Sequence, residues 1–329
     1  MGEATIRDVA KRAAVSVASV SRALNGLANV HPDTRERVLA AAQELGYVPH
    51  AGARSLSLAR THAIGVVLPD LHGEFFSEIV RGLDREVSAR GYHLLLSNMH
   101  DDSARAADAL RSMRGRVDGL VVMAPHIGQV ALDAMLPGSL PTVMINSASH
   151  AGRPALRIDN RSGAAAMTRH LLAIGRRTIV HIAGPAGNID AEERREGFLA
   201  ALPPGRPSHV LPGDFSERSG EAAVAALRRD GVAFDAIFAA NDMMALGALQ
   251  ALRDAGADVP RDVAVAGFDD VPLARFLSLT TMRVHMAEIG GRAANRLIDA
   301  LEGRSGGDPV ELVIPELVVR ATTQPELAP

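Results

Sequence analysis

From residue 63 onwards, short apolar segments alternate with stretches of helical periodicity, and this alternation constrains the fold more than any other feature of the chain. Such alternation is typical of parallel sheets that are covered by helices on both faces. The series divides near Ile158–Ser162 into two similar halves, so we predict two doubly wound α/β lobes. The apolar segments are IGVVLPD (64–70), HLLLSN (93–98), GLVVMAP (119–125), TVMIN (142–146), TIVHIAG (178–184), AIFAAND (236–242) and VAVAGFD (263–269).

The first 48 residues have a different pattern, that of three short helices with tight connections. Thr5 lies three residues before Asp8, which is the spacing of a capping box and predicts the start of a first helix. Apolar residues then recur at helical spacing at positions 6, 9, 10 and 13. Ser16 is placed to cap a second helix, Val17–Leu24, which ends near Gly26, a residue that readily adopts left-handed backbone.

Pro32 opens a third predicted helix, because proline is favoured in the first helical turn, and Gly46 closes it. The apolar stripe of this helix is expected to face a small core and consists of Val38, Leu39, Ala42 and Leu45. Residues 49–60 are too polar for a core and too few for a domain. We expect them to form a linker.

Composition excludes several classes of protein. The chain contains no cysteine, which rules out disulfides, thiolate metal ligands and cysteine nucleophiles. No apolar run approaches the roughly 18 residues that span a bilayer, and the first residues are polar, so we expect a cytoplasmic protein without a membrane partner. Residues 1–60 carry eight basic and five acidic side chains, a charge of +3, which leaves −6 for the rest of a chain whose net charge is −3. A basic segment on an acidic body suits contact with a polyanion at one end.

The second predicted helix has the features of a recognition helix in a helix-turn-helix. Such a helix needs a cap, small inward-facing residues and outward side chains near its N-terminus that reach base edges in the major groove. Val17 and Ala18 are placed to contact thymine methyls and other groove edges, and Arg22 carries the guanidinium fork that pairs with guanine O6 and N7. The serines that can serve as caps or phosphate contacts are Ser16, Ser19 and Ser21. The competing interpretation is a generic three-helix bundle with a solvated arginine.

The headpiece resembles that of the lactose/galactose repressor (LacI/GalR) family of transcription regulators, and the resemblance continues to the far end of the chain. It implies a small all-α helix-turn-helix headpiece followed by a two-lobed, periplasmic-binding-protein-like α/β sensor domain with doubly wound parallel sheets. The matching segments are Thr5-Ile6-Arg7-Asp8-Val9-Ala10, Val15-Ser16, Ser19-Val20-Ser21-Arg22, Leu24-Asn25-Gly26, Thr34-Arg35, Arg37-Val38, Leu45-Gly46-Tyr47 and Pro49.

The same resemblance implies which residues contact DNA. In the linker, Ala53, Arg54 and Leu56 would belong to a hinge helix that folds on operator DNA. Leu56 of each protomer would be wedged into the central minor-groove step. An apolar wedge at such a step unstacks the bases and bends the duplex. The alternative for Leu56 is packing on the body of the protein. His31 stands where the family usually has serine, which puts a side-chain cap and a hydroxyl contact to phosphate in question. The headpiece contacts are Thr5, Ser16, Val17, Ala18, Ser19, Ser21, Arg22, Asn25 and Thr34.

Hydrogen-bonding residues follow most of the predicted strands, where ligands bind in open α/β sheets. They are Asp70, Asn98, Pro125-His126 and Asn146 in the first half, and Gly184-Pro185, Asn241-Asp242 and Asp269-Asp270 in the second. With Phe75, Phe76 and Phe215 as apolar walls, this set suits a polyhydroxylated ring. A helix cap or a turn is the competing interpretation for Asp70, Asn241, Asp242 and Asp270.

By resemblance to the family, the polar effector contacts are Arg194, Asn241, Asp269 and Asn146, and the walls are Phe75, Phe76, Phe215 and Met286. Asp70 joins this set from its position at a strand end. Asn146 replaces the more frequent aspartate, and His285-Met286 replaces the usual Gln-Pro, so the effector's identity stays open. We expect a sugar-like effector, with a nucleoside or purine, or a phosphosugar, as alternatives.

The expected domains are a headpiece at 1–48, a hinge helix or linker at 49–60, and an effector-binding and dimerisation domain at 61–329. Its first lobe would comprise about 61–158 and 287–315, and its second about 159–286 and 316–329. We expect a C2 homodimer on a pseudopalindromic double-stranded operator.

Other classes of protein find little support. Gly303–Gly307 matches the G-x-S-x-G nucleophile pattern but lacks its strand-turn-helix context, and the histidines lack metal-ligand spacing. We therefore expect no catalytic residues, no metal, no cofactor and no enzyme activity. A solute-binding protein for transport would carry a signal peptide and no headpiece. The prediction is a nucleoid-associated, sequence-specific DNA-binding transcriptional regulator. We expect it to repress carbohydrate-utilisation genes under allosteric control by its effector.

Overall fold

A computed structural model describes residues 4–27, 29–48, 60–71, 73–100, 102–138, 140–147, 152–206, 208–304 and 308–324. The chain divides into two compact units, one containing the first 63 residues with Met113–Asp118 and the other containing Ile64–Ser112 with Gly119–Pro329. The predicted hinge residues Ala53, Arg54 and Leu56, and Ser305 of the rejected nucleophile pattern, lie outside the described residues. None of the described helices is long and apolar enough to cross a membrane.

Three helices form the headpiece: α1 (Ile6–Arg12), α2 (Val17–Leu24) and α3 (Pro32–Glu44). The predicted capping box of α1 is confirmed, because Asp8 N donates to Thr5 Oγ1 at 3.4 Å and Thr5 N donates to Asp8 Oδ2 at 2.9 Å. Ser16 caps α2 by accepting a hydrogen bond from Ser19 N at 3.1 Å. His31 precedes α3 and makes no side-chain cap, as its replacement of a serine suggested.

The headpiece core is built from small and β-branched side chains, namely Val9, Ala10, Ala13, Val20, Ala23, Val38, Ala41 and Ala42. The predicted stripe of α3 was wrong at Leu39, which is 49% exposed. Leu39 lies about 100° around the helix from Val38, whereas Ala41 and Ala42 flank the direction in which Val38 points. The stripe therefore runs through Ala41 instead of Leu39.

The effector domain follows as an alternation of strands and helices. In chain order the elements are β1 (Ala63–Leu68), α4 (Glu74–Ala89), β2 (His93–Asn98), α5 (Ser103–Met113), β3 (Gly119–Met123), α6 (Gln129–Met135), β4 (Thr142–Ile145), β5 (Ala155–Ile158), α7 (Asn160–Ala173), β6 (Ile179–Ile182), α8 (Ile189–Ala201), β7 (His209–Leu211), α9 (Glu217–Arg229), β8 (Ala236–Ala239), α10 (Asp242–Asp254), β9 (Ala264–Ala266), α11 (Pro272–Phe276), β10 (Thr281–Arg283), α12 (Met286–Leu301), β11 (Val310–Val313) and β12 (Glu316–Val318).

These elements make two α/β lobes, which confirms the predicted fold class. The first lobe has a six-stranded sheet in the order β11-β5-β4-β3-β1-β2, and the second has a four-stranded sheet in the order β7-β6-β8-β9. The pairs β1–β3, β3–β4, β4–β5, β5–β11, β6–β7, β6–β8 and β8–β9 are all parallel. An antiparallel pair, β10 and β12, adjoins the second sheet through isolated bridges at Ala266–Thr280 and Asp269–Arg283. The chain thus passes between the lobes three times, after β5, after β10 and after β11.

Close helix packing fixes the position of α4 in the first lobe. A Cβ at Gly82 would lie 1.8 Å from the carbonyl oxygen of Ala287, and a Cβ at Gly290 would lie 2.2 Å from that of Ile79. Only glycine lets the backbones of α4 and α12 approach this closely. The first turn of α4, which carries two of the predicted aromatic walls, is therefore held on a rigid support.

Candidate functional site

A cavity of about 250 Å³ lies between the two lobes at the carboxyl ends of the parallel strands. The first lobe lines it with Pro69, Asp70, Phe75, Phe76, Met123, Pro125 and His126. The second lobe lines it with Pro185, Ala186, Asn188, Asp190, Arg194, Asp214, Phe215, Asn241 and Asp269. Seven of the nine residues predicted to contact an effector are therefore brought together here, namely Asp70, Phe75, Phe76, Arg194, Phe215, Asn241 and Asp269.

The other two predicted residues, Asn146 and Met286, are not brought to the cavity lining. Asn146 is 2% exposed, and its Oδ1 accepts a hydrogen bond from Ile158 N at 3.0 Å, which ties the ends of β4 and β5 together. Met286 begins α12 and is buried in the main hydrophobic core. Met286 is thus part of the core, whereas Asn146 keeps its Nδ2 buried without a hydrogen-bond partner among the described residues.

Arg194, on α8, is the central cation of the cavity wall and is 2% exposed. Its Nε donates to Asn160 Oδ1 at 2.8 Å, and its Nη1 donates to the carbonyl oxygen of Ala240 at 2.6 Å. Its Nη2 lies 3.1 Å from Asp269 Oδ1, and its guanidinium carbon lies 3.9 Å from the centre of the Phe268 ring. These contacts hold the guanidinium in a single orientation.

Two buried carboxyl groups flank this arginine. Asp190 is 6% exposed and accepts a hydrogen bond from Asn160 Nδ2 at 2.8 Å, and Asp269 is 4% exposed. Burial raises the pKa of Asp190 to about 6 and that of Asp269 to about 7, because desolvation disfavours the charged form, although the positive charge of Arg194 acts in the opposite direction. The negative charge of Asp190 further raises the pKa of Asp269.

Asp190 and Asn188 were missed by sequence reasoning. Asn188 is the N-cap of α8 and accepts hydrogen bonds from Asp190 N at 3.0 Å and Ala191 N at 3.1 Å. An asparagine two residues before an aspartate, just after a strand-end loop, is a helix-start signal that would have pointed to them. The first turn of α8 therefore contributes polar groups to the cavity that the strand ends alone do not reveal.

Phe215 and Asp269 hold left-handed backbone in the cavity wall, with φ of 69° and 112°. Such values are unusual for residues with side chains and persist only where neighbours enforce them. Asn241 Nδ2 donates to the carbonyl oxygen of Phe215 at 3.0 Å, while Asn241 Oδ1 caps α10 by accepting from Met244 N at 2.9 Å. A Cβ at Gly184 would lie 2.4 Å from the Phe215 ring. Asn241 thus serves as a cap and as part of the lining.

The remaining lining combines aromatic rings with polar rim groups. Phe75 and Phe76 pack edge to face, with ring centres 5.3 Å apart. Asp70 Oδ1 accepts hydrogen bonds from Leu71 N and from the side chain of the strand-end residue at position 98. Hydrogen bonds from Ser216 hold the pKa of Asp214, another lining residue missed from the sequence, below its ordinary value. The rim is therefore acidic.

Two hydrogen bonds with backbone N–H donors link the lobes beside the cavity. Ile189 N, at the start of α8, donates to the carbonyl oxygen of Pro125 at 2.9 Å. Leu273 N, in the first turn of α11, donates to Glu74 Oε2 at 2.9 Å. A carboxylate at a helix N-terminus is favoured by the helix dipole, and here the carboxylate and the helix belong to different lobes. The arrangement of the lobes is thus fixed by contacts that a change of closure angle would break.

In the headpiece, the predicted groove contacts lie on the exposed side of α2. Val17 is 41% exposed, and Ala18 and Arg22 are also exposed. Arg22 Nε donates to the carbonyl oxygen of Ala18 at 3.2 Å, which lays the arginine along the helix. Ser16 and Ser19 are joined by a hydrogen bond of 2.9 Å between their hydroxyls, in addition to the cap.

The other predicted DNA contacts surround this helix. Asn25 follows α2 and donates to Ser21 Oγ at 3.4 Å, and Thr34 is half-buried in the first turn of α3. Thr5 is engaged in the capping box of α1. Hydroxyl and amide groups of the kind that contact phosphates therefore lie at both ends of α2, at the start of α1 and in the first turn of α3.

Comparison with known proteins supports both parts of the chain. Residues 5–50 match the family described as bacterial regulatory proteins, lacI family, and residues 168–323 match the periplasmic binding protein-like domain. The HTH-type transcriptional repressor PurR of Haemophilus influenzae (strain PittEE) is 33% identical over 333 residues, which cover 98% of this chain and 99% of that protein. The chain belongs to the lacI family.

Further relatives of this lacI-family protein align with it over nearly their full lengths. The ribose operon repressor of Escherichia coli (strain K12) is 37% identical over 307 residues, 90% of this chain and 92% of that protein. The lac repressor dimer bound to operator and the anti-inducer ONPF superposes with a TM-score of 0.86 at 27% identity, covering 98% of this chain and 99% of that one. The complex of the transcriptional regulator CelR with cellobiose superposes with a TM-score of 0.70 at 29% identity, covering 97% and 99%. This lacI-family protein is a DNA-binding transcriptional regulator.

Proposed function

We propose that this lacI-family protein is a repressor that binds an operator through α2 and is controlled by a small polyhydroxylated effector in the cavity between its lobes. The cavity is the observation that carries the proposal. Both lobes line it, so an effector bound there touches both and stabilises one arrangement of the lobes over another. The relatives are repressors, and we assign this chain a binding role and no catalytic step.

The proposed DNA contacts follow from the exposed side of α2. Arg22 pairs with a guanine in the major groove, and Val17 and Ala18 contact apolar groove edges. Thr5, Ser16, Ser19, Ser21, Asn25 and Thr34 contact phosphates and set the register of the helix. The support for these roles is that Val17, Ala18 and Arg22 are exposed although they flank the buried positions 20 and 23.

We further propose a homodimer that acts on a pseudopalindromic operator at the nucleoid. Two headpieces related by twofold symmetry contact the two half-sites. The likeness to a lac repressor dimer on its operator supports this assembly. The hinge residues Ala53, Arg54 and Leu56 keep their proposed roles, with Leu56 as the minor-groove wedge.

The cavity favours a sugar over a phosphosugar. Four carboxyl groups, those of Asp70, Asp190, Asp214 and Asp269, line it, whereas Arg194 directs two donors to Asn160 and Ala240. A dianionic phosphate would meet uncompensated negative charge, while hydroxyl groups can donate to carboxylates. The relative CelR, solved with cellobiose, and the ribose operon repressor support a carbohydrate.

Coupling between effector and operator requires only that the effector bind one lobe arrangement more tightly than the other. The hydrogen bonds from Ile189 N to the Pro125 carbonyl oxygen and from Leu273 N to the Glu74 carboxylate are the contacts that distinguish such arrangements. A shift in lobe closure then alters the register of the two linkers that precede β1 in the dimer.

Fluorescence anisotropy with a labelled palindrome that has a central CG step, and with a scrambled duplex at the same salt concentration, tests the proposal. We expect tight binding to the palindrome alone, a change in affinity with one member of a panel of sugars, nucleosides and phosphosugars, and loss of specific binding in Arg22→Ala. Arg229→Ala, which removes an exposed arginine of the effector domain, is the matched control and should bind like the parent.

Equal weak binding to both duplexes, insensitive to every ligand, would overturn the proposal. Repression is tested separately with a reporter gene placed behind the operator. Deletion of the regulator should raise reporter expression, and a fall in expression would contradict a repressor.

A further inference from the structure

The cavity wall contains more buried negative charge than its own cation can balance. Asp190 and Asp269 are both buried and both face the cavity, and among the described lining residues Arg194 is the one lysine or arginine. Arg157, which lies outside the cavity lining and acts on Asp190 by its charge, is ion-paired with Glu193. The protein's own groups therefore leave one buried carboxyl without a counter-charge.

Asp269 is ion-paired with Arg194, because its buried Oδ1 lies 3.1 Å from Arg194 Nη2. Asp190 is therefore the buried carboxyl group that is left without a counter-charge of its own. Asp269 still lines the cavity, so a ligand can reach its carboxyl group, and a carboxylate accepts several hydrogen bonds.

Asp190 offers a second acceptor in the same cavity wall. Its Oδ1 is bonded to Asn160 Nδ2, and the carboxyl group lines the same cavity. Asn160 also accepts from Arg194 Nε, so its amide holds Asp190 and the arginine in register. The two carboxyl groups are thus preorganised around a common volume.

We infer that the effector carries a protonated amine, as an amino sugar does, and that Asp190 and Asp269 bind this amine. The inference rests on the proposed effector cavity and names the chemical class of its ligand. An ammonium group has three donors and no acceptor, which matches a wall of carboxylate oxygens and leaves the hydroxyl groups of the ring to Asn241 and the rim carboxylates. The aromatic walls Phe75 and Phe76 add apolar surface that also tolerates a cation.

The raised pKa values of the two carboxyl groups agree with this arrangement. Burial raises the pKa of Asp190 to about 6 and the pKa of Asp269 to about 7, which is the response of carboxyl groups that lack a sufficient positive partner. A bound ammonium group would favour their ionised forms. Arg194, Glu193, Arg157 and Asn160 are the groups that act on Asp190 from within the protein.

The test is isothermal titration calorimetry of the full chain near neutral pH. Glucosamine, galactosamine and mannosamine are each compared with the parent hexose and with the N-acetyl derivative, which keeps the nitrogen but removes its charge. We expect at least one amine to bind about tenfold or more tightly than both of its neutral counterparts, which corresponds to about 1.4 kcal/mol. Neutral sugars that bind as tightly as their amines, or the failure of every amine to bind at millimolar concentration, would overturn the inference.

Substitutions locate the interaction. Asp190→Asn keeps the acceptor for Asn160 and nearly the same side-chain volume but removes the charge. It should therefore weaken binding of the amino sugar about tenfold, while the affinity for the parent hexose changes much less. Asp230→Asn, an exposed carboxylate outside the cavity lining, is the matched control and should leave both affinities unchanged. Circular dichroism establishes that each variant is folded. Equal losses for the amine and the hexose in Asp190→Asn would contradict a charge-specific role.

The outcomes separate this inference from the proposed function. If operator binding responds to a neutral sugar and to no amine, the proposed repressor function stands and the inference of an amine effector is wrong. Absence of operator binding overturns the repressor, while calorimetry on the same protein still decides whether the cavity prefers an amine.

Discussion

Replacing Asp190 by asparagine should stabilise the ligand-free protein at neutral pH, because this carboxyl group is ionised at an energetic cost. Burial raises its pKa from 3.8 to about 6, so the folded state holds its proton more tightly than the unfolded state. Its contribution to stability is fully present below pH 3.8 and is lost as the pH rises through about 6. This difference in the pKa of Asp190 between the folded and unfolded states corresponds to about 3 kcal/mol in the free energy of unfolding.

Asparagine resembles the protonated acid and cannot ionise, and its Oδ1 can still accept from Asn160 Nδ2. Asp190→Asn should therefore gain up to about 3 kcal/mol in the free energy of unfolding at about pH 7.5 and much less at about pH 4. Urea unfolding followed by far-ultraviolet circular dichroism is the suitable assay, since the chain contains no tryptophan. Lower stability of the variant at about pH 7.5, or the same difference at both pH values, would refute the reasoning.

Three further substitutions test the caps, the wall and the link between the lobes. Thr5→Ala should lower the free energy of unfolding of the headpiece by about 1 kcal/mol in thermal unfolding, because it removes the capping box, and Thr5→Ser should retain most of that stability. Gly184→Ala should weaken effector binding by about tenfold in calorimetry, because its methyl group would displace the Phe215 ring, whereas Gly128→Ala, with no neighbour within 4 Å, should bind normally. Glu74→Ala should weaken effector binding by about fivefold, because the hydrogen bond between the lobes is lost, and Glu74→Gln should bind more like the parent. Unchanged affinity in the alanine variant would count against a role for this hydrogen bond.

The helices of the headpiece could be predicted almost to the residue because their ends are encoded locally. A threonine and an aspartate three residues apart, a serine cap and a proline in a first turn act within a few residues of chain. Leu39 shows the limit of this approach. Its apolar side chain fits the helical period loosely, and only the packing of α3 on its neighbours decides that Ala41 is buried in its place.

The strands likewise divide into those that a local sequence pattern predicts and those that it does not. Long apolar runs predicted β1, β3 and β8, but β7, β10 and β12 have only three residues each and carry polar side chains. Such segments become strands because a partner already stands beside them, as β12 does for β10. Pairing between residues distant in the chain leaves no local pattern to detect.

The cavity was predictable to the extent that it follows the strand ends. That rule, with the family resemblance, located seven lining residues, because the carboxyl ends of parallel strands converge by topology. Asp190 lies in the first turn of α8 and not at a strand end, so the strand-end rule does not find it. Asn146 and Met286 were predicted from the family resemblance alone, and neither lines the cavity, since Asn146 Oδ1 joins β4 to β5 and Met286 is buried in the core.

The sheet order of the first lobe has a consequence for biosynthesis. β5 is flanked by β11, with Val310 opposite Ala155, so the sheet is completed by a strand made some 150 residues later. During translation the second lobe's four strands are all available before that edge strand leaves the ribosome. The headpiece can fold as soon as it emerges, whereas the first lobe must wait with an unpaired edge at β5. A nascent chain stalled before residue 310 would therefore present this edge to other chains, which makes it a natural target for chaperones.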